Sequence, residues 1–111
     1  MHPKSPKWLD DLVDACAYIV EKTTGTDEAA FVADRSLRQV VECNFEIIGE
    51  ALLRLERTDP TTTARISDYR QVIGLRNRLV HGYDDVDYQR VWDIIQHALP
   101  ILEREAKLLL K

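Results

Sequence analysis

Apolar positions in this chain recur with a helical period, and no stretch alternates as a strand does. Leu9, Leu12, Val13, Cys16, Ile19 and Val20 repeat on one face of a first helix. That helix opens at Ser5-Pro6, read as N-cap and N1 proline, and closes at Gly25. Thr26-Asp27-Glu28 opens a short second helix to about Ala33, its acidic residues suited to a helix start. A third helix runs from about Arg35 to Arg57, with Leu37, Val41, Phe45, Ile48, Leu52 and Leu55 as its stripe. The alternating spacing of four and three is that of a bundle helix. Asn44 falls inside this stripe and reads as a core amide satisfied by its neighbours. Gly49 costs about 1 kcal/mol against Ala in mid-helix, which close approach of another backbone would explain.

Asp59-Pro60-Thr61-Thr62-Thr63 reads as a loop with several possible caps. The fourth helix begins at Ser67 or Asp68 and ends near His81, with Gly82 expected in a left-handed turn. Asp84-Asp85-Val86-Asp87 supplies a polar turn and a new N-cap. The last helix turns Val91, Ile94, Ile95, Ala98, Leu102, Ala106 and Leu109 inward, and Pro100 should kink it. The predicted architecture is a single all-α domain over residues 1–111, a bundle of four main helices plus one short one.

Composition changes this picture little. The net charge of −4 and a pI near 5.3 argue against a broad, nonspecific nucleic-acid surface. A local basic site remains open, because Arg65, Arg70, Arg76 and Arg78 gather with only Asp68 among them. Cys16 and Cys43 have no metal-ligand spacing and read as buried thiols rather than a disulfide. The start, Met1-His2-Pro3-Lys4, lacks the apolar run of a signal peptide, and no stretch approaches the ~18 apolar residues of a membrane span. A cytoplasmic protein is expected, with no cofactor and no metal.

The candidate chemistry lies in Leu75-Arg76-Asn77-Arg78-Leu79-Val80-His81-Gly82-Tyr83. Tyr69, Val72, Ile73, Leu79 and Val80 form one arc at about 100° per residue, and Arg76 sits at its centre. A guanidinium there is costly unless something accepts its charge. It either snorkels or joins a buried ion pair, or it is the fork of an anion-receiving cleft. Histidine can give or take a proton near neutral pH, and tyrosine can donate a hydrogen bond or act as a nucleophile. Arg, His and Tyr together suit phosphodiester cleavage without a metal, and RNA carries its own 2′-hydroxyl nucleophile. The spacing sets a difficulty: on a regular helix Arg76 and His81 lie about 140° apart. They converge if the helix end distorts, if the Arg side chain folds across, or if a second chain contributes across a two-fold axis.

Beyond spacing, the chain resembles a HEPN domain of the HepT-like group over nearly its whole length. The resemblance is carried by Ile47-Ile48-Gly49-Glu50-Ala51, by Arg76-Asn77 through His81-Gly82-Tyr83, and by Val86-Asp87 with Val91-Trp92. It implies a symmetric all-α homodimer with a metal-independent RNase site at the dimer cleft. Arg76, Asn77 and His81 match the catalytic motif, and Tyr83 matches its tyrosine. The resemblance makes Glu50 a candidate for supporting the site, and Arg78 is a second such candidate. It further implies a toxin–antitoxin setting. The partner would be a minimal nucleotidyltransferase antitoxin, which can transfer AMP units to the motif tyrosine and so block RNA. Relatives often carry a Trp ahead of the fourth helix, where this chain reads Ile66-Ser67-Asp68-Tyr69.

Two alternatives stand beside the nuclease: a noncatalytic nucleotide- or partner-binding module acting with a nucleotidyltransferase, and a bare dimerisation scaffold. His97 reads as a surface residue, His2 as part of a mobile terminus, and Trp8 and Trp92 as packing or interface anchors.

Overall fold

The computed structural model describes residues 1–111, with side chains for all but Tyr83. Four long helical stretches carry the fold: α1 (Ser5–Thr23), α3 (Arg35–Thr58), α5 (Tyr69–His81) and the run formed by α6 (Tyr88–Asp93), a π turn (Ile94–Ala98) and α7 (Leu99–Leu109). Two short helices join them, α2 (Glu28–Ala33) and α4 (Pro60–Thr63), where the sequence pattern predicts one. No strand occurs among the described residues.

α3 is the central helix, packed on α1 along one side and on α5 along another, while α1 also packs on α7. Val41, Phe45, Ile48, Leu52 and Leu55 of its predicted stripe are fully buried against Leu9, Leu12, Cys16 and Ile19. The molecule measures 41 × 28 × 19 Å. Its shortest dimension is less than two helix diameters of about 10–12 Å, so α3 cannot be covered on every side by one chain. Ile47 on α3 and Val80 on α5 are accordingly exposed, at 44% and 39%.

Local details depart from the sequence reading for identifiable reasons. Ser5 lies inside α1 and does not cap it. Its hydroxyl donates instead to Asp59 Oδ2 at 2.8 Å. Asp59-Pro60-Thr61-Thr62-Thr63 is a helical turn rather than a loop, because Asp59 caps it and Pro60 is pre-set for a first helical position. The same carboxylate accepts the His2 backbone N–H at 2.9 Å, and the His2 ring stacks on Trp8, so His2 is held in place rather than loose. At the start of α5 the left-handed residue is Asp68 (φ 51°), which makes no capping bond. Gly82, expected to be left-handed, has φ −138° and donates its N–H to the Arg78 carbonyl at 2.7 Å. Pro100 is accommodated by the π turn just before it, where the Leu99 N–H reaches the Ile94 carbonyl. Cys16 is buried as expected, with its thiol pushed up to about 12 chiefly by desolvation and secondarily by Glu103. Cys43 is exposed instead.

Side-chain bonds then fix α5 and α6 on this frame. Tyr69 Oη donates to Glu56 Oε2 at 2.7 Å, tying the start of α5 to the end of α3. The Ser67 N–H donates to Glu105 Oε2 on α7 at 2.8 Å. Tyr88 Oη donates to Glu42 Oε1 at 2.5 Å, which pushes the phenol up from its ordinary range. The Arg38 guanidinium lies 4.8 Å from the Tyr88 ring centre, and Trp92 packs on buried Phe31 at 5.3 Å.

Asp59 offers a direct test of how the N-terminus is clamped. The His2 N–H, the Thr62 hydroxyl and the Ser5 hydroxyl, in that order, hold its carboxyl well below the usual carboxylate range. A carboxyl lowered on folding stabilises the fold fully above its unfolded value of about 3.9, and that contribution fades as pH falls from there towards the lower folded value. Asp59→Ala should therefore lower the urea midpoint clearly at pH 7 and progressively less as the medium is acidified. A deficit that stays constant down to about pH 2, below the unfolded value, would assign the loss to shape rather than charge.

Candidate active site

Arg76 reaches the surface of α3 through a gap that Gly49 leaves. A Cβ at Gly49 would overlap Cβ and Cγ of Arg76. The close approach inferred from that glycine is real, but the partner is a side chain rather than a backbone. The apolar stem of Arg76 is thus packed across α3, between buried Val72, Ile73 and Leu79 on its own helix.

The charged head is only partly compensated. Arg76 Nη1 donates to Asn77 Oδ1 at 3.1 Å, and Nη2 reaches Glu50 Oε2 at 3.4 Å. Its Nε is buried without a partner among the described residues. A guanidinium offers five donors; with two engaged and the Nε one buried, two remain for a ligand. Glu50 is shared, since its other oxygen accepts from Arg54 Nε at 3.1 Å. The ion pair is long and half exposed (side chains 22% and 41% exposed), so it is worth no more than about 1 kcal/mol and holds the fork loosely. The head opens into a groove of about 540 Å³ along α1 and α3. Trp8, Cys43, Ile47 and Arg54 line it with Glu50 and Arg76. The sequence reading assigned none of the first four to the site, although Glu50 and Arg54 are a readable i, i+4 pair.

The other candidates separate around α5. Asn77 is exposed and touches Arg76 through its amide oxygen. His81 is the last residue of α5 and is exposed. The helix stays regular to its end through the Gly82–Arg78 bond, so no distortion swings His81 towards Arg76. Arg78 lies on another face, in a cavity between α5 and α6 lined also by Gln71, Gly74, Leu75, Val86, Asp87 and Arg90. Leu75, outside the predicted arc, is buried there. The four arginines that gather in sequence do not gather in space: Arg70 pairs with Glu56 at 3.6 Å, Arg76 with Glu50. Tyr83 opens the 3-10 turn Tyr83–Asp85 directly after Gly82, and its side chain lies outside the described residues. His97 is exposed beside Asp93. Among the described residues no group of His, Cys, Asp and Glu is arranged to hold a metal ion, and no helix is long and apolar enough to cross a membrane.

One chain therefore presents a partly free arginine fork in an open groove and an exposed imidazole elsewhere on the same helix. Comparison with known proteins identifies the family of the chain. A family model described as ribonuclease HepT-like matches residues 12–109. The chain belongs to the HepT-like ribonuclease family. It is 28% identical over 109 residues to "Putative RNase TTE0752" of Caldanaerobacter subterraneus subsp. tengcongensis, covering 97% of this chain and 96% of that one. It is 29% identical over 101 residues to "Putative RNase MJ1380" of Methanocaldococcus jannaschii, covering 91% and 92%. "Probable ribonuclease HepT" of Thermococcus cleftensis is 27% identical over 96 residues, or 86% of each chain. No solved structure matches the chain.

The gap at Gly49 makes a sign-definite prediction for this HepT-like chain. Helix propensity alone would make Gly49→Ala stabilising by about 1 kcal/mol. Overpacking against the Arg76 stem costs typically about 1–3 kcal/mol and should win. Urea unfolding should show a lower midpoint, and adding Gly49→Ala to an Arg76→Gly background, where both overlapping atoms are gone, should cost nothing further. A stabilised single variant would mean that α3 and α5 move apart freely.

Proposed function

We propose that this chain is a metal-independent endoribonuclease toxin that acts as a symmetric homodimer and cuts RNA where Arg76 of one copy meets His81 of the other. The observation that carries this reading is the Arg76 head, with two Nη donors unused, opening into a groove beside the exposed apolar Ile47. A structural ion-pair arginine would be more fully paired. Family membership supports RNA as the substrate. A two-fold contact across the open faces of α3 and α5 would cover Ile47 and Val80, and it would resolve the angular separation of Arg76 and His81 without distorting α5.

The chemistry follows from the groups. One His81 imidazole takes the proton of a ribose 2′-hydroxyl, and that oxygen attacks the adjacent phosphorus. The bond from phosphorus to the 5′-oxygen breaks, and the His81 of the second copy supplies a proton to that oxygen. The products are a 2′,3′-cyclic phosphate and a free 5′-hydroxyl. Arg76 places its planar fork on the non-bridging oxygens as negative charge builds up, and Asn77 orients the fork through its amide oxygen.

Cleavage of single-stranded RNA in chelator-containing buffer tests this directly. His81→Ala should retain wild-type melting and lose cleavage. Arg76→Lys should lose most of it too, because lysine keeps the charge but not the bidentate fork. The protein should sediment as a dimer at micromolar concentration. Unchanged cleavage by His81→Ala would leave the noncatalytic binding module as the reading, and a monomer still active would remove the shared cleft.

We further propose that a minimal nucleotidyltransferase neutralises the toxin by transferring AMP to Tyr83, which follows Gly82 just past the end of α5. An attached phosphate would compete for the site of the RNA phosphate. Coexpression with such a partner should raise the intact mass of the wild type by AMP units and leave Tyr83→Phe unchanged and toxic. Neutralisation of both with no mass change would point to noncovalent masking.

A further inference from the structure

We propose that the cavity between α5 and α6 is a second phosphate subsite, which holds the RNA backbone next to the scissile position through Arg78 and Arg90. This rests on the ribonuclease reading above and adds to it the path of the substrate.

The cavity holds about 500 Å³ and is separate from the Arg76 groove, with no lining residue in common. Both of its arginines are exposed, and neither forms an ion pair among the described residues. Asp87, the one carboxylate in the lining, is engaged at its Oδ1, which accepts the Gln89 and Arg90 backbone N–H groups at 3.0 and 3.3 Å to cap α6. Two guanidinium groups face one carboxylate in this lining, which leaves a net positive charge, and a phosphodiester matches their planar forks.

Gly74 is the independent observation. Both mid-helix glycines cost stability, but only one has a reason inside the chain. Gly49 accommodates Arg76, whereas a Cβ at Gly74 would meet nothing within 4 Å. Gly74 therefore leaves open space on the cavity side of α5 that no protein atom uses. Gln71, Gly74, Arg78 and His81 follow one another at helical spacing along one face of α5. His81 stands three residues beyond Arg78, a neighbour on the helix surface at roughly 5–6 Å between Cβ atoms. A strand whose reacting phosphate sits at His81 would continue along that face into the cavity. This juxtaposition favours an RNA phosphodiester over a free nucleotide.

The test measures binding, in the His81→Ala background, to a single-stranded RNA of about 12 nucleotides, within the span of single-strand sites. Adding Arg78→Gln and Arg90→Gln should weaken the Kd about tenfold and reduce the salt slope, log K against log salt, by about 0.7 for the one phosphate released. Gly74→Leu fills the cavity without touching either charge, and should weaken RNA binding while raising or keeping the melting temperature. Unchanged Kd and slope in the double variant would overturn the proposal, as would weaker binding with an unaltered slope. ATP and inorganic phosphate are the competing sources of the same chemistry. If they bind and the double variant abolishes that binding while RNA affinity stays the same, the site belongs to a free nucleotide or ion and the proposal is wrong. The ribonuclease reading fails separately: it falls if the wild type cleaves no RNA, whatever the binding of these variants.

Discussion

The placement of one arginine stem across one missing side chain governs the geometry of this protein. Arg76 enters the apolar arc of α5, and only a glycine at position 49 lets α3 and α5 approach closely enough to bury that stem. The consequence is a charged head held by its aliphatic chain rather than by its ion pair. Packing fixes where the guanidinium is, and the long contact to Glu50 leaves donors unused. The phosphate recognition proposed for Arg76 needs this combination of a fixed fork and incomplete neutralisation. A fully paired arginine would be as well placed and chemically silent.

α5 consequently carries different chemistry on different faces. Val72, Ile73 and Leu79 bind it to the core, Arg76 addresses the α3 groove, and Arg78 addresses the cavity towards α6. The helix can serve all of these because it is anchored at its start by bonds to α3 and α7 and remains regular to its last residue. A frayed end would release His81 from any fixed relation to either arginine. The thinness of the bundle matters for the same reason. A molecule 19 Å across leaves the faces of α3 and α5 around the Arg76 groove open, and the exposed Ile47 and Val80 mark where a second copy would gain most.

Much of the fold was legible because amphipathic periodicity is a local property. The stripe of α3 lies in the core at five of its six positions, with Leu37 half-buried. Gly25 closes α1 with a positive φ, and Asp87 caps α6 as the acidic run after Gly82 suggested. The errors fell where a distant residue outweighs a local preference. Ser5 and His2 turn to Asp59, more than fifty residues away, and the Asp59 segment becomes helical around the same carboxylate. Gly82 adopts an ordinary φ because the 3-10 turn that follows needs no left-handed residue there. Cys43 sits beside the apolar stripe but faces the groove, a difference of one helix face that composition cannot show.

The sequence by itself determined an all-helical chain, the order of its main elements, and a conflict at Arg76 between apolar phase and charge. Those are matters of period and residue type, and they need no knowledge of neighbours. Its resemblance to the HepT-like group, carried by Ile47 through Ala51, Arg76 through Tyr83, Val86-Asp87 and Val91-Trp92, is borne out by the match over residues 12–109. Only the tertiary structure decided that Gly49 makes room for Arg76, that Glu50 and Asn77 touch its head, and that Arg78 belongs to a different cavity with Arg90. Each of these is a meeting of residues whose relative position is set by how helices cross. Sequence spacing fixes the angle of a side chain on its own helix but not what stands opposite it.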